Sequence, residues 1–586
     1  MPWEANGRAA GLVGGSNGLF GVSGTSWSDL YQPGLDKGSL TTVQLVGRNS
    51  PNPNTSLYAS DLSNIGPVAG LSWSIPYFGK DKTVLRAGYS INYERNAFIL
   101  TDDISGDEPG LRTETFFISD NFLDLTRIRL PLQPDGRPLD VVPVTDRSQV
   151  VRAFQNNLRT PYTQNWNLSI QRVFPGNLTL DVRYVGTKGT KLLRTVDVNE
   201  VNIFENGLLQ AFQTTQAGGN SPLMDRLFSG FDLGLGPVNG RTVTGSDSLR
   251  ANSTTRVLLA NNEVGAFADL LNMQPVNDER GGLLRRARLP ENWIVVNPQF
   301  ADAVFVGNFS NSSYHSLQIN GKKRFSRGWT LLSNYTWSRA LGDDEGDTQA
   351  LWRNYRNGRN RHLDKRLLDF HRTHVFRNSG EWELPFGPNR RFLGATHGPL
   401  GRLVGGWQIG VIFNAFSGAP IGLADGITSF NQFGYSTPFL VGSLPKNTGH
   451  VKRTDNGVVY FDGFQQVPDP AIANLTTMQS LNRRSSLKAI TDPSSKLIAV
   501  NPTPGTLGSL SPTYLEGPGS FRFDVNLIKK IRLREDKELI VRGDAINLLN
   551  SPQFGDPNTN INSTNFGRIT TASGERIIAV SMRVNF

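Results

Sequence analysis

The sequence contains no cysteine and no long apolar run. Without cysteine, this chain of 586 residues can form no disulfide, thiolate metal site or cysteine nucleophile. No stretch approaches the roughly 20 consecutive apolar residues that a membrane-spanning helix requires. Charged residues make up 19% of the chain and hydrophobic residues 38%, whereas glycine is abundant at 61 residues. This balance is typical of a chain with many strands and turns, in which every second strand residue is apolar.

Basic residues exceed acidic residues and give the chain a formal net charge of +10. They are scattered, with no run of five or more, so we expect no nucleic-acid partner. Short basic clusters such as 321–324 are expected at strand ends or in loops, close to lipid phosphates or anionic surface sugars. Residues 1–7 lack the basic and apolar regions of a signal peptide, which suggests a truncated gene or a start codon placed too late.

Several segments alternate apolar and polar residues with a period of two, as expected for strands with two unlike faces. We predict that the apolar face contacts lipid, and its residues include Trp166, Leu168, Ile170, Leu180 and Val182. Charged residues occur in mid-strand on the other face. We predict that this face lines the lumen of a barrel, with Asp181, Arg183, Arg522 and Asp524 among its residues.

Short and long connections alternate along the chain. The short ones are predicted at residues 77–82, 173–177, 324–328, 385–405 and 533–537. The long polar ones are predicted at roughly residues 96–160, 188–311, 339–373, 417–519 and 549–575. Compact soluble domains rarely carry structureless loops above about 15 residues. Outer-membrane barrels have short periplasmic turns and long extracellular loops, so the alternation favours that class.

These patterns predict an all-β fold, an antiparallel transmembrane β-barrel. With the short turns in the periplasm, counting back from the C-terminus gives eleven strands. Single-chain bacterial barrels have even strand numbers, so a twelfth strand is expected, and residues 41–47 are its candidate. We therefore divide the chain into residues 1–66, a barrel remnant or loop region, and residues 67–586, the barrel.

The last strand alternates strictly and ends on phenylalanine. Its apolar row is predicted to face lipid and comprises Ile578, Val580, Met582, Val584 and Phe586. This row also resembles the assembly signal that the barrel assembly machinery reads in outer-membrane proteins. We therefore expect that machinery to be a partner of the chain.

Several segments resemble the Oar-like TonB-dependent receptors. They are TPYTQNWNLSIQR (160–172), YVGTKG (184–189), YHSLQ (314–318), GGWQ (405–408), FRFD (521–524) and AINLLNSPQFG (545–555). The resemblance implies a barrel of twenty-two strands, of which about twelve are visible, and uptake of a large or scarce nutrient. The sequence shows no plug, TonB box or carboxypeptidase-regulatory-like sandwich, so TonB coupling is expected only if a plug is supplied.

Two clusters are candidate ion sites. Asp343, Asp344, Glu345 and Asp347 form an acidic loop that either binds a cation or is solvated; it lacks the twelve-residue EF-hand pattern. His371 and His374 lie three residues apart, and we expect loop-end hydrogen bonds there rather than a metal site. No phosphate-binding loop or nucleophile elbow is present, so we expect no catalytic residues, no cofactor and no enzyme activity.

The leading functional hypothesis is a TonB-dependent receptor barrel in the outer membrane of a Gram-negative cell, whose outer loops capture the nutrient. Outer-membrane lipid and lipopolysaccharide are its expected surroundings. The alternatives are a passive porin-like channel and a surface-structural or adhesive barrel. A soluble secreted β-protein is a further alternative.

Overall fold

The computed structural model describes most of the chain outside a few segments. The described residues are 9–13, 19–80, 82–94, 141–231, 233, 237–238, 240–326, 328–344, 354–445, 448–473, 485–534 and 537–586. None of the helices in these ranges is long and apolar enough to cross a membrane.

Eleven long strands form one antiparallel sheet in which each strand pairs with its neighbours in chain order. The strands, numbered β1 to β11, are Val68–Ser74, Thr83–Tyr93, Tyr162–Phe174, Leu178–Asp197, Asp302–Ser326, Trp329–Gly342, His374–Glu383, Trp407–Phe416, Ser520–Arg534, Lys537–Ile546 and Ile577–Asn585. The predicted antiparallel sheet and, within the described residues, the count of eleven strands are therefore confirmed. Short and long connections alternate, so all the short ones lie at one end of the sheet.

The register of the strands gives the sheet one apolar face. Directly paired residues in antiparallel strands share a face, and Leu168 pairs with Tyr184 while Ile170 pairs with Val182. Farther along the sheet, four successive strands contribute one apolar row, composed of Val411, Val525, Ala545 and Ile578. A slip of one residue would exchange the faces, so this pattern fixes the register.

The described sheet is open, with β1 at one end of the strand order and β11 at the other. Two short strands also join it. Val150–Phe154 runs parallel to the start of β5, and Arg366–Leu367 pairs with the end of β6.

The prediction that residues 41–47 form a twelfth barrel strand is wrong. Thr42–Val46 is a strand, but it pairs with Ala9–Val13 in a separate two-stranded sheet. Its five residues are too few to cross the hydrocarbon layer, which needs about 9–11 strand residues. Val43 and Val46 are buried. The segment therefore belongs to the packing around the connections.

The connection between β4 and β5 is a helical module, whereas the sequence predicted a polar loop from 188 to 311. Its helices, α1 to α6, are Leu208–Gln216, Pro222–Leu227, Gly245–Ala251, Ser253–Ala260, Val264–Met273 and Gly282–Arg286. Leu208, Ala211, Phe212 and Thr215 are buried at the spacing of one helix face. They share a core with Phe267 and its neighbours, so the module has its own hydrophobic centre.

A second core joins the connections after β8 and β10. Leu423, Ile490, Ile498 and Ile561 are buried together in it. Around it lie the short strands Pro420–Ile421, Phe439–Leu440, Lys452–Thr454, Gly457–Val459, Gln465–Pro468, Lys488–Thr491, Leu497–Val500, Leu515–Glu516, Gln553–Phe554, Arg568–Ile569 and Ala572–Ser573. Two further helices, α7 and α8, are Gly398–Val404 and Pro470–Ala473.

The remaining short elements lie mostly in the connections. They are the strands Pro237–Val238 and Arg241–Thr242 and the 3-10 helices Gly21–Ser23, Trp27–Asp29, Pro76–Phe78, Glu291–Trp293 and Arg361–Asp364. Leu19 and Phe20 of the N-terminal region pack against Val198, Phe300 and Phe305. The described part of residues 1–66 thus contacts the connections, while the domain boundary at residue 66 stays a prediction.

Candidate functional site

The long connections line an open cavity of about 730 Å³ at their end of the sheet. Six separate segments form its wall, and three arginines and three aspartates line it. The lining residues are Arg194, Asp269, Met273, Ala301, Asp302, Asn354, Arg356, Asp364, Arg366, Gln432, Phe433, Tyr435 and Pro512. The volume lies within the range of roughly 300–1,000 Å³ that ligand pockets occupy.

One side of the cavity is held by a buried ion network around Asp364. The Asp364 carboxylate accepts a hydrogen bond from Arg194 Nη2 at 2.7 Å and another from Arg356 Nε at 2.8 Å. Arg194 also lies 3.6 Å above the ring of Tyr355. Because Asp364 ends a 3-10 helix and Arg194 lies near the end of β4, the network fastens the connection after β6 to the sheet.

Besides this network, the cavity is lined by Arg366 and by the carboxylates of Asp269 and Asp302. Asp269 lies on α5 and Asp302 is the first residue of β5. Burial raises the pKa of Asp269, and the charge of Asp302 raises it further. Burial also raises the pKa of Asp302, and the neighbouring Asp197 is fully buried beside it. The cavity thus contains a positive region and a negative region.

A second set of contacts joins the N-terminal region to the same connections. Arg359 donates to both carboxylate oxygens of Glu205, at 2.6 and 2.7 Å, and lies 3.6 Å above the ring of Tyr31. The Tyr31 hydroxyl lies 3.5 Å from Glu200, whose pKa is raised chiefly by burial. These contacts hold three distant parts of the sequence in one rigid assembly.

The mid-strand charges that the sequence placed in the lumen lie on the sheet, away from the cavity lining. Arg183 contacts Asp181 at 2.9 Å, and Arg522 contacts Asp524 at 2.8 Å, in each case two residues along one strand. The pairing runs from Arg183 to Ser520 through Gln318, Thr336, Val375 and Phe416. All four charged residues therefore share the face opposite the apolar rows, and their contact with the lumen stays a prediction.

The C-terminal row is the exposed apolar side of the edge strand β11. Ile578, Val580 and Met582 are 69%, 77% and 70% exposed, and Val584 and Phe586 continue the row. Hydrophobic side chains this exposed on an edge strand require an apolar surrounding or a further strand. A role of this row in assembly stays a prediction.

The structure describes only part of the two predicted ion sites. Asp343 accepts hydrogen bonds from the backbone of Asn311 at 3.1 Å and from the Tyr355 hydroxyl at 2.8 Å, so it stabilises the loop. Asp344 is described, whereas Glu345 and Asp347 lie outside the described residues. His371 accepts a hydrogen bond from the Ala340 backbone, and His374 contacts the Tyr335 hydroxyl. Across the described ranges, no three His, Cys, Asp or Glu residues are arranged to hold a metal ion.

Sequence reasoning missed the cavity altogether. Its residues lie as far apart as Arg194 and Pro512, and no short motif connects them. The usable signal was the helical spacing of apolar residues within 208–215, which shows that the connection is folded.

The open antiparallel meander, with one apolar face and mid-strand charges on the other, defines a membrane protein of the β-barrel class. The family model of the outer membrane beta barrel domain matches residues 2–579, and the chain belongs to this family. The family is one of outer-membrane barrels rather than of enzymes, and it places the protein in the outer membrane. No curated protein matches the sequence significantly.

The fold is similar to solved structures of outer-membrane receptors and transporters. The outer membrane transporter YddB from Escherichia coli is 9% identical, with a TM-score of 0.35, over 89% of this chain and 40% of that one. The ferripyoverdine receptor of Pseudomonas aeruginosa is 7% identical, with a TM-score of 0.30, over 89% and 32%. The ferric-catecholate import receptor Fiu from E. coli is 9% identical, with a TM-score of 0.30, over 94% and 37%. The chain spans two fifths or less of each, and the family match carries the assignment.

Proposed function

We propose that the protein is a receptor-type barrel that captures a large or scarce nutrient in its loop assembly and passes it across the outer membrane. The cavity would be the capture site. Energy would come from the inner membrane through TonB, provided that a plug domain is supplied. The barrel assembly machinery, the surrounding lipid and lipopolysaccharide are the other proposed partners.

The observation that supports this proposal most is the construction of the cavity. Its walls are folded modules with their own cores, and the Arg194–Asp364 ion pair is almost completely buried. Loops carried on a rigid scaffold are common binding sites, because the scaffold lowers the entropy lost when a ligand binds. A passive channel does not require a charged cavity lined by folded loops.

The test compares uptake by the natural host with and without the gene. Cells grow in yeast-extract medium, and mass spectrometry follows the depletion of its components. We expect at least one class of compound to be depleted only when the gene is present, and this depletion to stop when TonB is deleted. A control strain carries Lys452→Gln, which alters an exposed ion pair outside the cavity lining.

Two results would contradict the proposal. Gene-dependent depletion that survives the loss of TonB would identify a passive channel. An unchanged depletion profile, combined with lost attachment of the cells to surfaces or to one another, would identify an adhesive barrel.

A further inference from the structure

We propose that the cavity binds short peptides with free termini, with the peptide ammonium at Asp269 and the peptide carboxylate at Arg356. This assignment rests on the proposed function, because it names the substrate class of the same capture site. It follows from how the charges of the cavity are distributed and from which of them are already satisfied.

One guanidinium group of the positive region, that of Arg356, has an N–H donor that no acceptor in the described residues uses. Arg194 and Arg356 share the single carboxylate of Asp364. Arg356 Nε and Nη2 are occupied, by Asp364 and by the Leu363 carbonyl, whereas Arg356 Nη1 is buried without a hydrogen-bond partner. A buried donor without a partner is costly, and a carboxylate is the acceptor that guanidinium groups bind best.

In the negative region, Asp269 has no cationic partner among the described residues, whereas Asp302 lies near Arg152. Within the part of the chain that the structure describes, no side chain or backbone group donates a hydrogen bond to the Asp269 carboxylate or forms an ion pair with it. The charged group that perturbs Asp269 is another carboxylate, Asp302. An ammonium group bound between them would relieve their repulsion, because an opposite charge stabilises the ionised form.

The two regions are separate within one cavity. Asp269 lies on α5 and Arg356 in the connection after β6, both line the cavity, and within the described residues no ion pair joins them. A ligand that satisfies both must therefore carry its two charges at opposite ends.

The residues between the charged regions suit a peptide backbone. Asn354 Oδ1 is buried without a partner and can accept an N–H bond. Met273, Phe433 and Tyr435 supply apolar contacts for side chains. A neutral oligosaccharide carries no ammonium for Asp269 and no carboxylate for Arg356 Nη1, so it would satisfy these two groups less well than a peptide with free termini.

The test uses isothermal titration calorimetry on the full chain, folded in detergent and checked by heat modifiability. The probes are tetra-alanine with free termini, its N-acetylated form, its C-terminal amide and maltotetraose. We expect tetra-alanine to bind and each blocked form to bind at least about tenfold more weakly, since each loses a charge-assisted contact. Asp269→Asn should bind the free and N-acetylated peptides equally. Asp278→Asn, an exposed position after α5, should behave as the unaltered protein.

Equal binding of the free and blocked peptides, binding of maltotetraose alone, or no binding of any probe by folded protein would overturn the peptide assignment. TonB-dependent depletion of other compounds by the same cells would leave the receptor proposal standing. Conversely, peptide binding with no gene-dependent uptake would contradict the receptor proposal and leave the peptide site intact.

Discussion

Arg194 Nη2 lies 2.7 Å from Asp364 Oδ2, and both side chains are only 1% exposed. The pair connects the end of β4 with the connection after β6, and the two residues are 170 positions apart in the sequence. A buried charge that loses its partner is strongly destabilising. This contact is therefore a sensitive probe of how the loop assembly is held.

Replacing Asp364 by alanine should loosen the loop assembly and leave the sheet folded. Two guanidinium groups lose their carboxylate, and the expected cost is about 3–5 kcal/mol. Limited proteolysis of intact cells should cleave the connections faster, while heat modifiability is unchanged. Lys452→Ala removes an exposed ion pair with Asp462, worth about 0–1 kcal/mol, and serves as the matched control. Equal cleavage of both variants would show that the buried network does not hold the loops.

Arginine at Val580 should impair the barrel, whereas arginine at Ala579 should be tolerated. Val580 lies in the apolar row, and an arginine there costs about 2–4 kcal/mol at the bilayer midplane. Ala579 pairs with Asp544 on the other face, where an arginine gains an opposite charge. The yield of heat-modifiable protein in outer membranes measures how well each of the two variants assembles.

Deletion of Phe586 should also lower this yield. The assignment of β11 as the closing strand fails if Val580→Arg and the Phe586 deletion both assemble as well as Ala579→Arg.

Alanine at Gly186 should displace Trp166. Gly186 pairs with Trp166 across β3 and β4, and an added Cβ would overlap the indole ring. Overpacking of this kind costs about 1–3 kcal/mol. Urea unfolding and tryptophan fluorescence should both change. Gly543→Ala is the matched control, because an added Cβ there has nothing within 4 Å. No difference between the two variants would contradict the pairing of β3 with β4.

The strands could be predicted because their signal is local. The alternation around Trp166 and Val580 has a period of two, and the pairing observed for both strands agrees with it. The strand at Thr42–Val46 was placed wrongly because five alternating residues carry no information about their partner. The cavity could not be predicted, since Arg194 and Asp364 meet only through the tertiary fold.

The stability of the loop assembly should fall as the pH rises from about 4 to about 7. Asp425 is 1% exposed, and burial raises its pKa to about 7 from its ordinary value of 3.8. The folded state therefore binds the proton of Asp425 more tightly than the unfolded state does. The stability that this proton adds is fully present below pH 3.8 and is lost as the pH rises through about 7. Asp425→Asn should remove this dependence.

Limited proteolysis at pH 5 and pH 8 measures this effect as the difference between Asp425→Asn and the unaltered protein. The expected difference corresponds to a few kcal/mol at most, because each pKa unit is worth about 1.4 kcal/mol. An equal change with pH in both proteins would contradict the assignment to Asp425.

Cysteine labelling in intact cells tests most directly whether the sheet spans the outer membrane with its long connections outside. The chain contains no cysteine, so each single replacement is labelled without background. Asp278→Cys lies in the helical module and Lys80→Cys in the turn between β1 and β2, and both positions are exposed. We expect a membrane-impermeant maleimide to label Asp278→Cys in intact cells and Lys80→Cys only after the outer membrane is permeabilised. Labelling of Lys80→Cys in intact cells, with Asp278→Cys protected, would contradict the account.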